Sequence, residues 1–373
     1  MRLAAFVALA VGAVACTPHQ SASPASGVAD ASVDATRVDA RASDAGAGTD
    51  ASREAHLGEP RDAALEVEAP PVPTFDELLP ILFAERTTSA PILAACPGSL
   101  PGDARVRCLY DERYKGDPKA AGIAHELFVK WHVVAGVEVA HTMNGGYRGM
   151  IRIEPAVPVG ENRHHLEWVA GAIRDFDTFF AELDRSRAGQ GRPVAPSATG
   201  TSPKPYRFQP ITLRFMRSIA ARTPAAYAHD WEVAYNFVGT LNISADAVRE
   251  TMFHEIFHLN DAAHGGWWSP GALGGVFDAV VKKCGTGIPC LEPYSPNGTI
   301  VRGGTYYSFQ PGNGVMEYAA ELALRYYREQ RAALRNLAKV KPFKCGPPEN
   351  ARAWALMRDE FFAGADAVPP CSP

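Results

Sequence analysis

The sequence predicts an α+β fold for residues 73–373, in which a mixed, twisted sheet is backed by a long helix and followed by a helical C-terminal part. The first observation is an amphipathic run from Glu161 to Leu183, whose apolar positions follow helical spacing. The second is a pair of strand-like segments at 206–215 and 233–243. The third is Ser244, which can cap a helix that starts directly after the last strand.

Composition supports a folded domain and excludes one class of partner. The chain has 373 residues, of which 46% are hydrophobic, with 17 Phe, 12 Tyr and 6 Trp, so a sizeable core can form. The formal net charge is -4, and charges of both signs are mixed along the chain. Because there is no basic field, we expect no nucleic-acid partner.

The N-terminus has the features of an export signal over residues 1–16. A short charged start precedes residues 3–15, an apolar stretch that is too short to span a bilayer well. Ala13-Val14-Ala15-Cys16 resembles a bacterial lipobox, although Ala13 stands where that motif usually has Leu. The resemblance implies a lipid anchor at Cys16 and a membrane-attached place in the cell envelope. Ordinary cleavage nearby, giving a periplasmic or secreted protein, is the alternative.

Residues 17–72 are predicted to form a disordered tether. Ala, Ser, Asp, Gly and Pro dominate this stretch, and it contains no aromatic residue. A segment of this composition buries too little apolar surface to offset the entropy lost on ordering. We expect it to hold the folded domain away from the membrane and to take no part in chemistry.

Six cysteines remain if Cys16 carries lipid, and an even number in an exported chain favours disulfides in an oxidising compartment. Proximity along the chain favours three pairs: Cys96 with Cys108, Cys284 with Cys290, and Cys345 with Cys371. A cysteine-based zinc site is the weaker alternative, because no two cysteines are spaced as C-x-x-C.

Local signals also predict the first ordered elements. Thr74 can cap one helix, and Asp117 followed by proline can start another. The apolar spacing then changes to alternation in residues 133–139 and 147–154, which flank Asn144-Gly145-Gly146. This arrangement predicts a β-hairpin that joins the two segments.

The helix after Ser244 carries His254-Glu255-Ile-Phe-His258, one match to the H-E-x-x-H pattern that is typical of zinc peptidases. His254 and His258 are four residues apart, so they share a helix face and their imidazoles can bind one metal ion. Glu255 lies about 100° round the helix, where it can take a proton from water without binding the metal.

A catalytic zinc site usually has three protein ligands, and His264 is one candidate for the third. The spacing His254-x3-His258-x5-His264 is that of the metzincin family, and Met316 can stand for that family's Met-turn. However, Asp261 replaces the family's helix-breaking glycine, and the two alanines that follow favour continued helix. A continued helix turns His264 away from the metal.

Glu317 is the other candidate, because Glu317 and Glu321 share one face of a later predicted helix. The residues His254 through Asp261, followed by Glu317-Tyr-Ala-Ala-Glu321, resemble the gluzincin zinc metallopeptidases. The similarity is greatest to the lethal-factor-type branch, with H-E-x-x-H-x-x-D and then E-x-x-x-E. It covers residues 230–330 and implies a zincin-like catalytic domain.

The gluzincin resemblance implies a role for each matching residue. One Zn²⁺ is bound by His254, His258 and Glu317, Glu255 is the general base, and Glu321 and Asp261 support the ligands. Tyr307 is the preferred counterpart of the branch's oxyanion-stabilising tyrosine, although its spacing from Glu317 is longer; Tyr306, or a structural role for both, is the alternative. The last strand before the metal helix is expected at the sheet edge, where an extended substrate can add as another strand.

Together with the export signal, the resemblance implies a lipid-anchored zinc metallopeptidase that hydrolyses peptides or proteins outside the cytoplasm. In such enzymes zinc lowers the pKa of water towards neutrality, and Glu255 would accept the proton and return it to the leaving amine. Two alternatives stay open. One is a metzincin-type peptidase with His264 as third ligand, and the other is a catalytically inactive, zinc-binding surface lipoprotein.

Overall fold

The computed structural model describes residues 71–144, 150–189, 203–264, 266–301, 304–337 and 341–372. The predicted signal peptide and all but the last two residues of the predicted tether lie outside this part of the chain. Helices and one six-stranded sheet form a mixed α+β arrangement in the described residues.

From residue 71 onwards, four helices precede the first strand, and two of them start at the predicted caps. They are α1 (Phe75–Leu82), α2 (Ala90–Ala95), α3 (Gly102–Arg113) and α4 (Pro118–Trp131). The Thr74 amide donates to Glu77 Oε2 at 2.7 Å, which closes the first turn of α1. The Asp117 carboxylate accepts from the Ala120 amide at 3.1 Å and caps α4.

The large sheet is built around its longest strand. Its strands are β1 (Val133–Val137), β2 (His141–Asn144), β3 (Met150–Pro155), β4 (Ile211–Ile219), β5 (Ala226–His229) and β6 (Glu232–Asn236). β4 pairs in parallel with β1 and β6 and antiparallel with β3. β2 and β5 end the main strand order, and β1 lies beside β4, which is the single strand partner of β1 in the described sheet. The sheet is therefore mixed, as the sequence predicts.

The predicted hairpin between residues 133–139 and 147–154 is wrong in its first strand. Val133–Val137 form β1, which is buried along its whole length and pairs with the first half of β4. The hairpin joins β2 to β3, with His141 opposite Ile153. A continuous apolar run is typical of a strand buried on both faces, whereas an outer strand such as β2 alternates between inside and outside.

The prediction that the strand before the motif helix forms the sheet edge is also wrong. β6 lies between β4 and β5, and β5 is the outer strand. β5 and β6 are joined by a two-residue turn at Asp230 and Trp231, both of which have positive φ. Because neither residue is glycine, the strongest sequence signal for such a turn is missing, and β5 is hard to find from the pattern.

The remaining helices cover the sheet and build the core. They are α5 (Arg163–Gly189), α6 (Ala245–Ala262), α7 (Trp268–Cys284), α8 (Ile288–Leu291), α9 (Gly314–Leu334) and α10 (Pro348–Phe361). A small two-stranded sheet, β7 (Ile300–Val301) and β8 (Thr305–Tyr306), lies before α9. Phe176 of α5 packs on Phe253 of α6, which stacks on Tyr327 of α9 at 4.3 Å between ring centroids. α5 is therefore the backing helix of α6 and α9.

The three predicted disulfides are confirmed. Cys96 bonds Cys108, Cys284 bonds Cys290, and Cys345 bonds Cys371. Three disulfides indicate an oxidising, extracytoplasmic environment. Among the described residues, no helix has both the length and the apolar character that crossing a membrane requires.

Candidate metal centre

Helix α6 brings His254 and His258 onto one buried face. Ser244 Oγ accepts from the Ala247 amide at 3.2 Å, which starts the helix where the sequence predicts. The two histidines are only 3% and 4% exposed. Their Nε2 atoms lie 3.2 Å apart, as the four-residue spacing requires for two ligands of one ion.

Glu317, in the first turn of α9, completes a group of three ligand atoms. Its Oε2 atom lies 3.2 Å from His254 Nε2 and 3.5 Å from His258 Nε2. The triad of His254, His258 and Glu317 can hold a metal ion. In the part of the chain that the structure describes, it is the one such group of three or more His, Cys, Asp or Glu residues.

The triad lies among buried carboxylates that lack a fixed cation. Glu255, Asp261, Glu317 and Glu321 are each less than 10% exposed. No lysine or arginine within the described ranges pairs with any of these four side chains, and the ion-pair partners of Glu317 and Glu321 are histidines. Buried carboxylates are costly without compensation, so the arrangement favours a bound cation.

The charge states of Glu317 and His254 depend on each other. Burial opposes ionisation of Glu317, but His258 and His254 outweigh it and lower the pKa of Glu317 to about 2. Burial likewise opposes charging of His254, but hydrogen bonds with Glu317 and Glu321 outweigh it and raise the His254 pKa well above its usual range. A proton and a metal ion therefore compete for the space between His254 and Glu317.

The buried carboxylate of Glu255 makes no hydrogen bond within the described structure. The residue is 0% exposed, and neither Oε1 nor Oε2 has a hydrogen-bond partner among the described residues. Burial raises the pKa of Glu255, and the neighbouring His254 and His258 offset part of that rise. An unpartnered buried carboxylate beside a metal triad is typical of a group that exchanges a proton with water or substrate.

Glu321 lies one helical turn after Glu317 and contacts the opposite side of the His254 ring. Its Oε1 atom is 3.2 Å from His254 Nδ1, and its Oε2 atom accepts from Asn297 Nδ2 at 2.7 Å. A proton on Nδ1 leaves Nε2 free to face the triad. Sequence spacing gives no signal for Asn297, because Pro-Asn-Gly at 296–298 has the composition of an ordinary turn.

Asp261 joins α6 to α7 and makes no hydrogen bond to the triad. Its Oδ1 accepts from the Ser269 amide at 2.8 Å, and its Oδ2 accepts from Ser269 Oγ at 2.6 Å. Burial raises the pKa of Asp261, and the Ser269 bonds offset part of that rise. Asp261 thus fixes the start of α7 against the helix that carries His258.

Tyr307 is the tyrosine that reaches the triad. Its hydroxyl donates to Glu317 Oε2 at 2.9 Å. Burial, together with the charges of Glu317 and Glu255, raises the pKa of Tyr307 well above its usual range, so the phenol stays protonated at neutral pH. Tyr306 lies in β8, where it pairs with Ile300.

His264 lies outside the triad. Helix α6 ends at Ala262, and the imidazole of His264 turns towards α10. Its Nε2 atom is 2.9 Å from Glu360 Oε1, and its Nδ1 atom is 2.8 Å from the Asn260 carbonyl oxygen. These contacts turn the His264 ring towards α10 and not towards the triad, although α6 ends before His264.

Comparisons with known proteins do not place this chain in a family. No protein-family model matches it, and neither a curated protein nor a solved structure gives a match. The gluzincin resemblance therefore rests on the motif residues and on the geometry of the site.

Proposed function

We propose that this protein is a zinc-dependent metallopeptidase of gluzincin type, which hydrolyses peptide bonds. The proposal rests on the buried triad of His254, His258 and Glu317 beside the unpartnered carboxylate of Glu255. Two imidazoles and one carboxylate are the protein ligands of several catalytic zinc sites, in which a further position stays open for water or substrate.

The separations between the ligand atoms suit zinc. Ligand atoms placed tetrahedrally at zinc's bond lengths of about 2.0–2.1 Å lie roughly 3.3 Å from one another. The three separations here are 3.2, 3.2 and 3.5 Å. Calcium and magnesium prefer sites made of oxygen ligands, so two imidazoles favour zinc or a related transition metal.

Glu255 performs the proton transfers in the proposed reaction. When bound, zinc supplies a Lewis acid that polarises the peptide carbonyl and makes water more acidic. Glu255 accepts a proton from the water whose oxygen forms the new bond to the carbonyl carbon. It then gives the proton to the nitrogen as the C–N bond breaks, which restores the carboxylate. Burial raises the Glu255 pKa and so strengthens it as a base.

Tyr307 and Glu321 support that reaction from two sides of the triad. The protonated Tyr307 hydroxyl lies against Glu317 and can donate to the oxygen of a substrate carbonyl as negative charge develops there. Glu321 Oε1 lies 3.2 Å from His254 Nδ1, where it can accept the Nδ1 proton, fix the ring and direct Nε2 towards the metal. Each role uses an atom that the fold already holds within reach of the triad.

Export supports a substrate outside the cytoplasm. The disulfides and the signal-like residues 1–16 lead us to infer peptide or protein substrates, with the enzyme attached to a membrane through lipid at Cys16. A metzincin site would need His264 at the metal, and the contacts of that ring with Glu360 and Asn260 argue against it.

Hydrolysis of a peptide library by zinc-loaded wild type and by Glu255→Gln tests the proposal. We expect the variant to lose about 10²–10⁴-fold in rate while it retains one zinc ion. Glu329→Gln is the matched control, because Glu329 is also buried but binds the Phe343 amide and Arg325. Equal hydrolysis by wild type and Glu255→Gln would contradict this mechanism. A wild type that binds zinc and cleaves no peptide would support the inactive alternative.

A further inference from the structure

We propose that Asn297 and Arg328 are positioning residues, which set the metal affinity of the triad by holding Glu321 against His254. The inference rests on the proposed metal centre. Asn297 lies in a loop and Arg328 is half-exposed, and neither contacts the three ligands. The motif pattern does not indicate either residue.

Asn297 fixes both ends of Glu321. It lies between α8 and β7, and its side-chain amide donates to Glu321 Oε2 at 2.7 Å and to the Glu321 backbone oxygen at 3.0 Å. The bond to the backbone oxygen anchors the Asn297 amide on α9, and the bond to Oε2 restricts rotation of the Glu321 side chain. The other carboxylate oxygen, Oε1, is thereby kept 3.2 Å from His254 Nδ1.

Arg328 fixes the orientation of the Asn297 amide. Its Nη1 donates to Asn297 Oδ1 at 2.8 Å, and an amide whose oxygen faces Arg328 must direct its NH₂ group towards Glu321. The same guanidinium makes a two-bond pair with Glu250, at 2.7 and 2.5 Å. Glu250 lies one turn before His254 on α6.

The contacts therefore form a closed network that links α6 and α9. Glu250 of α6 pairs with Arg328 of α9, and Arg328 orients Asn297. Asn297 in turn holds Glu321 of α9, which contacts His254 of α6. Partners behind a metal-binding histidine fix its tautomer and orientation, and losing them weakens metal binding. This network extends the support of His254 from Glu321 to Asn297 and Arg328, which lie farther from the metal site.

Zinc affinity of the full chain, measured by competition with a chelating dye, tests the inference with a readout other than catalysis. We expect Asn297→Ala to bind zinc about 10-fold more weakly than wild type, and Arg328→Gln to lose on the order of 3-fold. Asn350→Ala should bind as wild type does. Asn350 is a matched control, because its buried side-chain amide also donates two hydrogen bonds, but to the backbone oxygens of Pro293 and Phe343.

A double-mutant cycle separates positioning from general packing. If Asn297 acts through Glu321, adding Asn297→Ala to Glu321→Ala should cause no further loss of zinc affinity. Additive losses, or an Asn350→Ala loss as large as that of Asn297→Ala, would overturn the inference. If Asn297→Ala does not fold, Arg328→Gln tests the inference instead, because the Arg328 side chain is 43% exposed and its replacement should leave folding intact. Wild-type zinc affinity in Arg328→Gln would also overturn the inference.

The outcome for the wild type distinguishes this inference from the proposed function. A wild type that binds zinc at the triad with an affinity that Asn297→Ala and Arg328→Gln leave unchanged would overturn the positioning role alone. A wild type that binds no zinc would overturn both the metal centre and the positioning role.

Discussion

Two clusters of carboxylates lie along helix α9, and only one of them is supplied with cations by the chain itself. Near the end of α9, Arg331 and Arg335 meet Asp175 of α5, at 3.1 and 2.5 Å, and the Tyr327 hydroxyl adds a hydrogen bond. About four turns earlier on the same helix, Glu317 and Glu321 meet imidazoles, an amide and a phenol.

The difference separates a structural cluster from a binding site. In the Asp175 cluster, the carboxylates of Asp175, Glu182 and Asp246 face the guanidinium groups of Arg249, Arg331 and Arg335, so the charges balance and folding needs no ion from solution. The triad has the opposite character, because its carboxylates are buried and meet imidazoles, which can bind a metal ion, in place of arginine or lysine. A motif match alone does not show that the triad lacks cationic partners. The described structure shows it, because no lysine or arginine there pairs with these carboxylates.

The largest stability effect is expected at the Asp175 cluster. Asp175→Asn removes the anion that Arg331 and Arg335 share, which should lower the free energy of unfolding by about 3 kcal/mol, measured by urea denaturation. Zinc affinity should not change. Asp184→Asn, at an exposed position of the same helix, should change stability little. Loss of zinc binding in Asp175→Asn would remove the distinction between the two clusters.

The largest functional effect of a single hydroxyl is expected at Tyr307. Tyr307→Phe should lower kcat about 100-fold, since the oxyanion would lose a donor. Its free energy of unfolding should fall by only about 1 kcal/mol, the cost of one hydrogen bond. Tyr306→Phe, in the neighbouring strand position, is the control and should retain kcat. Unchanged kcat in Tyr307→Phe would limit that side chain to a packing role.

The smallest effect is a pH dependence of stability at the Asp175 cluster. Burial opposes ionisation of Asp175, but the Tyr327 and arginine bonds outweigh it and lower its pKa. A lowered pKa adds stability above the unfolded value of about 4, and that stability is lost as the pH falls below it. The difference in unfolding free energy between wild type and Asp175→Asn should therefore narrow on acidification. A difference that stays constant down to pH 3 would contradict this cause.

Local spacing predicts α6 well and the sheet less well. The Ser244 cap and the convergence of His254 and His258 follow from contacts within one helix, which the sequence spacing determines. The pairing of β1 with β4 joins Val133 to Ile211. Alternation within a strand does not specify such a distant partner, so the predicted hairpin received the wrong first strand.

In the candidate site, too, some residues can be predicted from the sequence and others depend on tertiary contacts. The gluzincin resemblance predicts Glu317 and Tyr307, and the structure places Glu317 beside His254 and the Tyr307 hydroxyl on Glu317. Asp261 was grouped with the ligand supports, but its hydrogen bonds go to Ser269. Asn297 had no signal beyond turn composition, because its role depends on a tertiary contact with Glu321.

The zinc content of the purified chain, measured by elemental analysis after dialysis, tests whether His254, His258 and Glu317 bind one metal ion. We expect one zinc per chain in the wild type, its loss in Glu317→Ala, and its retention in His264→Ala. Zinc retained in Glu317→Ala but lost in His264→Ala would contradict the triad and favour the metzincin arrangement.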